Sequence, residues 1–270
     1  MYVTAIMKLS IITINKDNAE GLQKTLDSVA CQTWHDFEHI IVDGASADSS
    51  VDIIRNYAAD VHPYPVKWLS EPDTGIYNAM NKGIRMANGE YCLFLNSGDY
   101  LYNFNVLNEV FSIPFTEDIV TTDFMASTGD FGDMPNSVDI VRMWTTTIAH
   151  QSTFHKSTLL SSKGYNENFK YVSDWIFLFE QLIFNGASYR KLDIILNECQ
   201  PGSSYDTSAI PIERKKYLTQ KFPNEIYCAI DNYVKIKNST EYYEYLQIRK
   251  NRLLRKIFKI CISIHEYFCR

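Results

Sequence analysis

The chain has 270 residues, 46% of them hydrophobic and 21% charged, with a formal net charge of -6. That length accommodates one large core, or a core with an appendage. The acidic balance argues against nucleic acid as the main partner. Six cysteines without a CxxC spacing signal neither a zinc site nor a dithiol motif, and fit a reducing, cytoplasmic compartment.

In chain order, Lys8 to Ile14 is β-branched and apolar and predicts a strand, ended by the turn Asn15-Lys16-Asp17-Asn18. Leu22, Leu26 and Val29 then recur at helical spacing. Phe37 to Val42 predicts a second strand, stopped by Asp43-Gly44-Ala45-Ser46, and a helix follows with Val51, Ile54 and Tyr57 on its apolar face. Val66 to Leu69 predicts a third strand, closed by Glu71-Pro72-Asp73-Thr74-Gly75. The next helix carries Ile76, Ala79, Met80, Gly83 and Ile84 on one side; Lys82 and Arg85 read as its solvated side.

Tyr91 to Leu95 is an unbroken apolar run suited to a strand buried on both faces. It breaks into Asn96-Ser97-Gly98-Asp99, which is turn chemistry. Repeated strand-helix alternation predicts βαβ units and a mainly parallel sheet flanked by helices. The strand ends then share one edge, and each ends in an aspartate turn: Asp17, Asp43, Asp73 and Asp99. Ligands bind at that edge in open α/β sheets. A hard carboxylate such as Asp99 suits a divalent cation, and the cation suits a diphosphate. No turn carries the dinucleotide or P-loop glycine pattern.

Further on, Asp123 to Ser137 is a polar segment long enough for a mobile lid, and Val138 to Trp144 predicts a strand. His150-Gln151-Ser152-Thr153-Phe154-His155 leads into a short helix, and the two histidines fall on opposite faces of a strand, which speaks against a shared metal. Ser173 or Asp174 caps an apolar helix over Trp175 to Asn185, and Tyr189 to Leu196 alternates like an outer strand. Residues 199–209 form a Pro/Gly/Ser loop, after which the chain reads as helical and charged. The expected division is a main domain over 1–210 and a helical extension over 211–270. No apolar run reaches the roughly 20 residues a membrane span needs, and no signal-peptide pattern opens the chain. Between Arg249 and Arg270 stand seven basic residues and one acidic one, with Leu253, Ile257, Ile260, Ile264 and Phe268 on one stripe. A basic amphipathic helix over 249–268 predicts peripheral contact with a membrane face, or packing on the acidic body or a second subunit. The oligomeric state is not encoded in any pattern.

Three stretches carry a resemblance: Val42-Asp43-Gly44-Ala45-Ser46, Glu71-Pro72-Asp73-Thr74-Gly75-Ile76-Tyr77-Asn78-Ala79-Met80-Asn81-Lys82-Gly83, and Leu95-Asn96-Ser97-Gly98-Asp99. From about Leu9 to about Ser204 the chain resembles family 2 glycosyltransferases, and within them the colanic-acid and exopolysaccharide branch. The resemblance implies the GT-A nucleotide-diphospho-sugar fold and inversion at the transferred sugar. It places Thr13, Asp43 and Asp73 in the nucleoside pocket, and Asn78, Ser97, Gly98 and His150 among the donor-binding residues. Asp99 takes the last position of the metal-binding DxD, with Mn²⁺ or Mg²⁺ as the cofactor, although Ser97 stands where the first carboxylate would be. Asp174 matches the acidic residue that serves as general base, and Pro201-Gly202-Ser203-Ser204 the loop that closes over the donor phosphates.

The chemistry so implied is transfer from a nucleotide-diphosphate sugar, uridine being the expected carrier ahead of guanosine, to a glycan or lipid-linked hydroxyl in surface polysaccharide synthesis at the inner face of the membrane. On spacing alone, Asp43, Asp73 and Asp174 also serve as helix caps, and His150 as a satisfied structural residue. A nucleotide-sugar-binding module without turnover is the alternative. A nucleotidyltransferase would need a basic, Gly-rich loop after the first strand, where Lys16 is the single lysine.

Overall fold

The computed structural model describes residues 7–199, 207–240, 242, 243 and 250. The chain divides into two compact units, Met1–Arg214 and Lys215–Arg270. In the first, a sheet runs in the order Val66–Ser70 (β3), Phe37–Asp43 (β2), Leu9–Asn15 (β1), Tyr91–Phe94 (β4), Thr153–Lys156 (β8), Ile119–Ala126 (β6), Tyr189–Cys199 (β9) and Tyr100–Leu101 (β5), with Phe131–Gly132 (β7) paired to β6.

Its first half follows the alternation in the sequence. Strands β1 (Leu9–Asn15), β2 (Phe37–Asp43), β3 (Val66–Ser70) and β4 (Tyr91–Phe94) are joined by helices α1 (Ala19–Ala30), α2 (Ser50–Ala59) and α3 (Ile76–Met86). All three pairings among these strands are parallel. β1, β2 and β4 are buried along their whole length, as near-continuous apolar runs require. One core packs Leu9, Ile11, Phe37, Tyr91, Leu93 and Phe154 against Val29, Val106 and Val110.

Beyond β4 the sheet is mixed, which corrects the expectation of a mainly parallel one. After the two-residue β5 (Tyr100–Leu101) and α4 (Val106–Phe111) come β6 (Ile119–Ala126) and β7 (Phe131–Gly132). β8 (Thr153–Lys156) lies antiparallel between β4 and β6, and β9 (Tyr189–Cys199) is parallel to β6 and antiparallel to β5. Over Tyr189 to Ile195 β9 pairs with β6 alone, as an outer strand does, and at Asn197 and Glu198 it also pairs with β5. Its alternation reflects the charged residues Arg190, Lys191 and Asp193, which reach polar partners: Lys191 bonds Asp123 at 3.1 Å and Asp133.

Three local expectations also change. Val138 to Trp144 is not a strand; α5 (Ile140–Thr145) forms because the Asp139 carboxylate accepts from the Arg142 amide at 2.7 Å and caps it. The 123–137 segment carries strand structure, with β6 running to Ala126 and pairing with β7, and Asp123, 5% exposed, accepts from the Met134 amide at 2.8 Å. His150 to Ser152 is a 3-10 turn leading into β8, followed by α6 (Ser157–Lys163). α7 (Ser173–Phe179) passes into a π-helical turn at Glu180–Phe184. The second unit begins within α8 (Ala209–Lys221) and continues through α9 (Asn224–Lys237). The Pro201–Ser204 loop and nearly all of the 249–268 tail lie outside the described residues. Among the described residues no helix is long and apolar enough to cross a membrane.

Candidate functional site

The carboxyl ends of β1, β2, β3 and β4 deliver four turns to one edge, and hydrogen bonds sew them together. Asp43 is the knot. It is fully buried and accepts from the Ser46 hydroxyl (2.6 Å), the Ser70 hydroxyl (2.7 Å), the Ser46 amide (2.9 Å) and Asn15 Nδ2 (2.9 Å). Burial alone would push its carboxyl up, but these donors outweigh it and hold it below the ordinary value. Asp17 takes the Ala47 amide at 2.7 Å, so it ties the first turn to the second rather than facing a ligand.

Gly44 follows Asp43, and its carbonyl accepts from Lys16 Nζ at 2.6 Å. Asp73 comes in beside it from the third turn, partly exposed and accepting from the Gly75 amide at 3.0 Å. A Cβ at Gly44 would meet Asp73 Oδ2 at 2.3 Å, so this approach requires glycine. Lys82, expected on a solvated face, is only 10% exposed; it donates to Pro72 O at 2.7 Å and pairs with Glu71 at 2.9 Å, holding the third turn.

The fourth turn rests on α1. Thr25 Oγ1 donates to Asp99 O at 2.7 Å and accepts from the Gly98 amide at 3.0 Å, where Gly98 has a φ of 104°. Asn18 Nδ2 reaches the Ser97 carbonyl at 3.1 Å and its hydroxyl at 3.3 Å. Asp99 is 8% exposed. The described residues contain no group of three or more His, Cys, Asp or Glu able to hold a metal ion. Asp99 is a hard oxygen donor of the right kind for Mg²⁺ or Mn²⁺, but it does not make a protein-only cation site.

The antiparallel β8 brings its lead-in, His150, to the place where β4 ends. His150 Nδ1 lies 2.9 Å from Asp174 Oδ2, and Nε2 lies 3.2 Å from Asn96 Nδ2. Asp174, in the first turn of α7, takes the Tyr77 hydroxyl on Oδ1 at 2.7 Å. The His150 and Asp174 side chains keep 20% and 16% of their surface open. Burial would raise the Asp174 carboxyl, but the His150 hydrogen bond and charge, the Tyr77 hydroxyl and the Trp175 amide lower it overall. Burial would lower His150, but the Asp174 hydrogen bond and the Asp174 and Asp99 charges raise it overall. The two shifts agree: the pair favours carboxylate beside imidazolium.

Of the expected residues, Asp43 and Asp73 meet through Gly44, Ser97, Gly98 and Asp99 share one turn, and His150 and Asp174 touch. Thr13 does not line an open pocket. It is fully buried, donating to Leu95 O at 2.8 Å and meeting His39 Nε2 at 3.0 Å, because an inward position on an interior strand leaves it no route to the rim. Asn78 instead donates to Glu167 at 2.9 Å, beside Asn81, which donates to the same carboxylate at 2.8 Å. Tyr77, Asn96 and Lys16 bond residues of these turns or of the His150–Asp174 pair without having been singled out from the sequence. Tyr77 stood in the middle of the longest motif, and its polar end on an apolar helix face was the available signal.

The sequence signature of Glycosyl transferase family 2 matches residues 10–182. The PGL/p-HBAD biosynthesis glycosyltransferase of Mycobacterium bovis is 32% identical over 173 residues, covering 62% of this chain and 67% of its own length. Among solved structures, S. aureus TarS 1-349 in complex with UDP-GlcNAc aligns with a TM-score of 0.63 and 20% identity, over 77% of this chain and 64% of that one, so the chain spans less than two thirds of that neighbour. Mannosyltransferase PcManGT from Pyrobaculum calidifontis, in complex with GDP-Man and Mn2+, aligns with a TM-score of 0.61 and 14% identity, over 95% of this chain and 80% of that one. At these identities the two structures speak for a shared GT-A-like fold.

Proposed function

Because this chain belongs to glycosyl transferase family 2, we propose that it is an inverting glycosyltransferase moving a hexosyl or N-acetylhexosaminyl group from a nucleotide-diphosphate sugar to a hydroxyl. The observation that carries this reading is the Asp174 carboxylate, kept anionic by Tyr77 and His150 and hydrogen-bonded through His150 to the Asn96–Asp99 turn. A base must be ionised before it can take a proton, and two side-chain donors on a partly open carboxylate provide that.

In this reading the acceptor hydroxyl attacks the anomeric carbon from the side opposite the diphosphate, and its proton passes to Asp174. The bond to the leaving phosphate oxygen breaks, and the nucleoside diphosphate departs with that electron pair. Asp73 and the Gly44 backbone fix the base and ribose so that attack is in line, with Asp43 bracing the turn from behind. The Ser97-Gly98-Asp99 turn faces the diphosphate. Bound there, Mn²⁺ or Mg²⁺ would offset charge on the leaving group, with Asp99 and the diphosphate itself as joint ligands.

Neighbours crystallised with UDP-GlcNAc and with GDP-Man support a nucleotide-sugar donor, with a uridine carrier first in our reading. The acceptor we assign is a glycan or lipid-linked sugar of surface polysaccharide at the cytoplasmic membrane face. The seven basic residues between Arg249 and Arg270 support it, since each contributes roughly 1 kcal/mol near an anionic leaflet. The test is transfer and hydrolysis from a panel of UDP- and GDP-sugars, with and without Mn²⁺ or Mg²⁺. Turnover supports the enzyme; saturable binding without turnover favours a nucleotide-sugar-binding module.

A further inference from the structure

Asp174 is one link of a longer chain. Tyr77 comes from α3, His150 from the 3-10 turn before β8, and Asn96 from the turn after β4. They form the series Tyr77–Asp174–His150–Asn96 at 2.7, 2.9 and 3.2 Å. Each oxygen of the carboxylate receives one side-chain donor from a different element. The Trp175 amide also bears on the carboxylate, and with about four lone-pair sites it still has room for a further partner. We propose that Tyr77 and His150 are positioning residues for the Asp174 carboxylate: one donor on each oxygen fixes its plane, and Asn96 fixes the imidazole from its far side. This rests on the glycosyl-transfer reading above.

The Asn96 amide makes the arrangement specific. With Nδ2 facing His150 Nε2, the imidazole carries its proton on Nδ1, the nitrogen that faces Asp174. In that orientation Asn96 Oδ1 is buried and has no partner. Turning the amide over brings Oδ1 to Nε2, which is the partner an imidazolium needs. Asn96 therefore serves both charge states of His150, and in both of them Nδ1–H stays on Asp174. A neutral imidazole protonated only on Nε2 would aim a lone pair at the carboxylate, and neither amide orientation relieves that.

The groups bearing on Asp174 from the packed elements are few. His150 and Tyr77 bond it; Tyr165 and His155 lie within electrostatic reach, and Asp99 acts on His150. Burial keeps His155 neutral, pushed down to about 3, and raises Tyr165 well above its usual value. Only His150 brings positive charge to the carboxylate among these groups. Its removal must raise the Asp174 carboxyl and narrow the pH range in which Asp174 is a base.

The experiment has two arms. In the first, Tyr77→Phe, His150→Leu and His150→Asn are compared with wild type in transfer assays across pH. Loss of either donor should lower kcat by about tenfold with the donor KM within about twofold, and move the acidic limb of kcat/KM up by about one pH unit. His150→Asn should recover part of both losses, because the Asn amide can place a donor where Nδ1–H stood. An unmoved acidic limb in Tyr77→Phe and His150→Leu, or a raised donor KM with kcat intact, would overturn the proposal. In the second arm, ¹⁵N-histidine NMR of the full chain without ligand follows the resonance that disappears in His150→Asn. It should titrate above the free-histidine value in wild type and fall in Asp174→Asn. Equal titration in both proteins overturns the proposal even if the wild type turns over. If the titration shifts as expected but no sugar is transferred, the dyad stands and the glycosyl-transfer reading fails.

Discussion

A Cβ placed on Gly44 would lie 2.3 Å from Oδ2 of Asp73, so the second and third turns meet at the closest distance their side chains allow. Asp73 can occupy this position because its neighbour has no side chain. Gly44→Ala should therefore drive Asp73 outward without unsettling Asp43, whose bonds go to Ser46, Ser70 and Asn15. We expect nucleoside-diphosphate affinity to fall about tenfold, or 1.4 kcal/mol, with the melting temperature nearly unchanged. Calorimetric titration beside a thermal melt reads both.

Asp174→Asn keeps the shape of the side chain and removes the base. Transfer should fall by a factor on the order of 10²–10⁴ while donor affinity stays close to wild type. Loss of donor affinity in this variant would count against Asp174 as the base. Asp99→Asn should do the reverse in kind, weakening the cation-dependent part of nucleotide binding. A thermal-shift series of nucleoside diphosphates with Mn²⁺, Mg²⁺ or EDTA reads that difference.

Two fully buried histidines make a paired test. His39 is bonded on both sides, to Thr13 Oγ1 and the Tyr57 hydroxyl at 3.0 Å each. His155 lies against the rings of Phe94 and Phe177, and neither of its nitrogens has a partner. His39→Phe should cost about 1–3 kcal/mol by removing one hydrogen-bond partner from each of two buried hydroxyls, whereas His155→Phe should be neutral or stabilising at pH 7. Chemical denaturation of the two variants distinguishes them.

The same two residues set a pH dependence. Burial pushes both down to about 3. Between about 3 and the ordinary 6.5 the unfolded chain takes up a proton at each and the folded chain does not, so stability falls as pH falls through that window. His155→Phe should flatten part of this decline. Denaturation midpoints at pH 7, 5.5 and 4.5 should converge for the variant relative to wild type; parallel curves would contradict the assignment.

Asp43 titrates with the opposite origin. Its folded carboxyl lies below 3.8, so its contribution is complete above that value and is lost as pH falls through the folded one. Asp43→Asn should be less stable than wild type at pH 7, and the gap should close in acid below 3.8. Acid unfolding followed by circular dichroism would show whether the curves meet.

The parallel half of the sheet was legible because each strand was a short apolar run ending at an aspartate turn, a pattern set by local sequence. The antiparallel half was not. β8 is four residues long, and α5 depends on the Asp139 cap rather than on periodicity. His150 looked like a structural histidine because its value lies in the direction of β8: an antiparallel strand contributes its beginning, not its end, to the rim. Thr13 misled for a related reason. It sits on the right strand near the right end, but its side chain faces Leu95 and His39 within the sheet, and facing is a property of register.

The knot at Asp43 has a further consequence. One carboxylate joins the closing loops of three adjacent strands, so in the proposed reading the support of the carrier-facing turns and the integrity of the scaffold share an atom group and cannot drift independently there. A lineage changing its preferred nucleotide would have to leave Asp43 alone and work through the solvent-side neighbours, Asp73 foremost. In that reading, diversity among relatives with different carriers should gather on the exposed side of these turns and be absent from the buried carboxylate behind them.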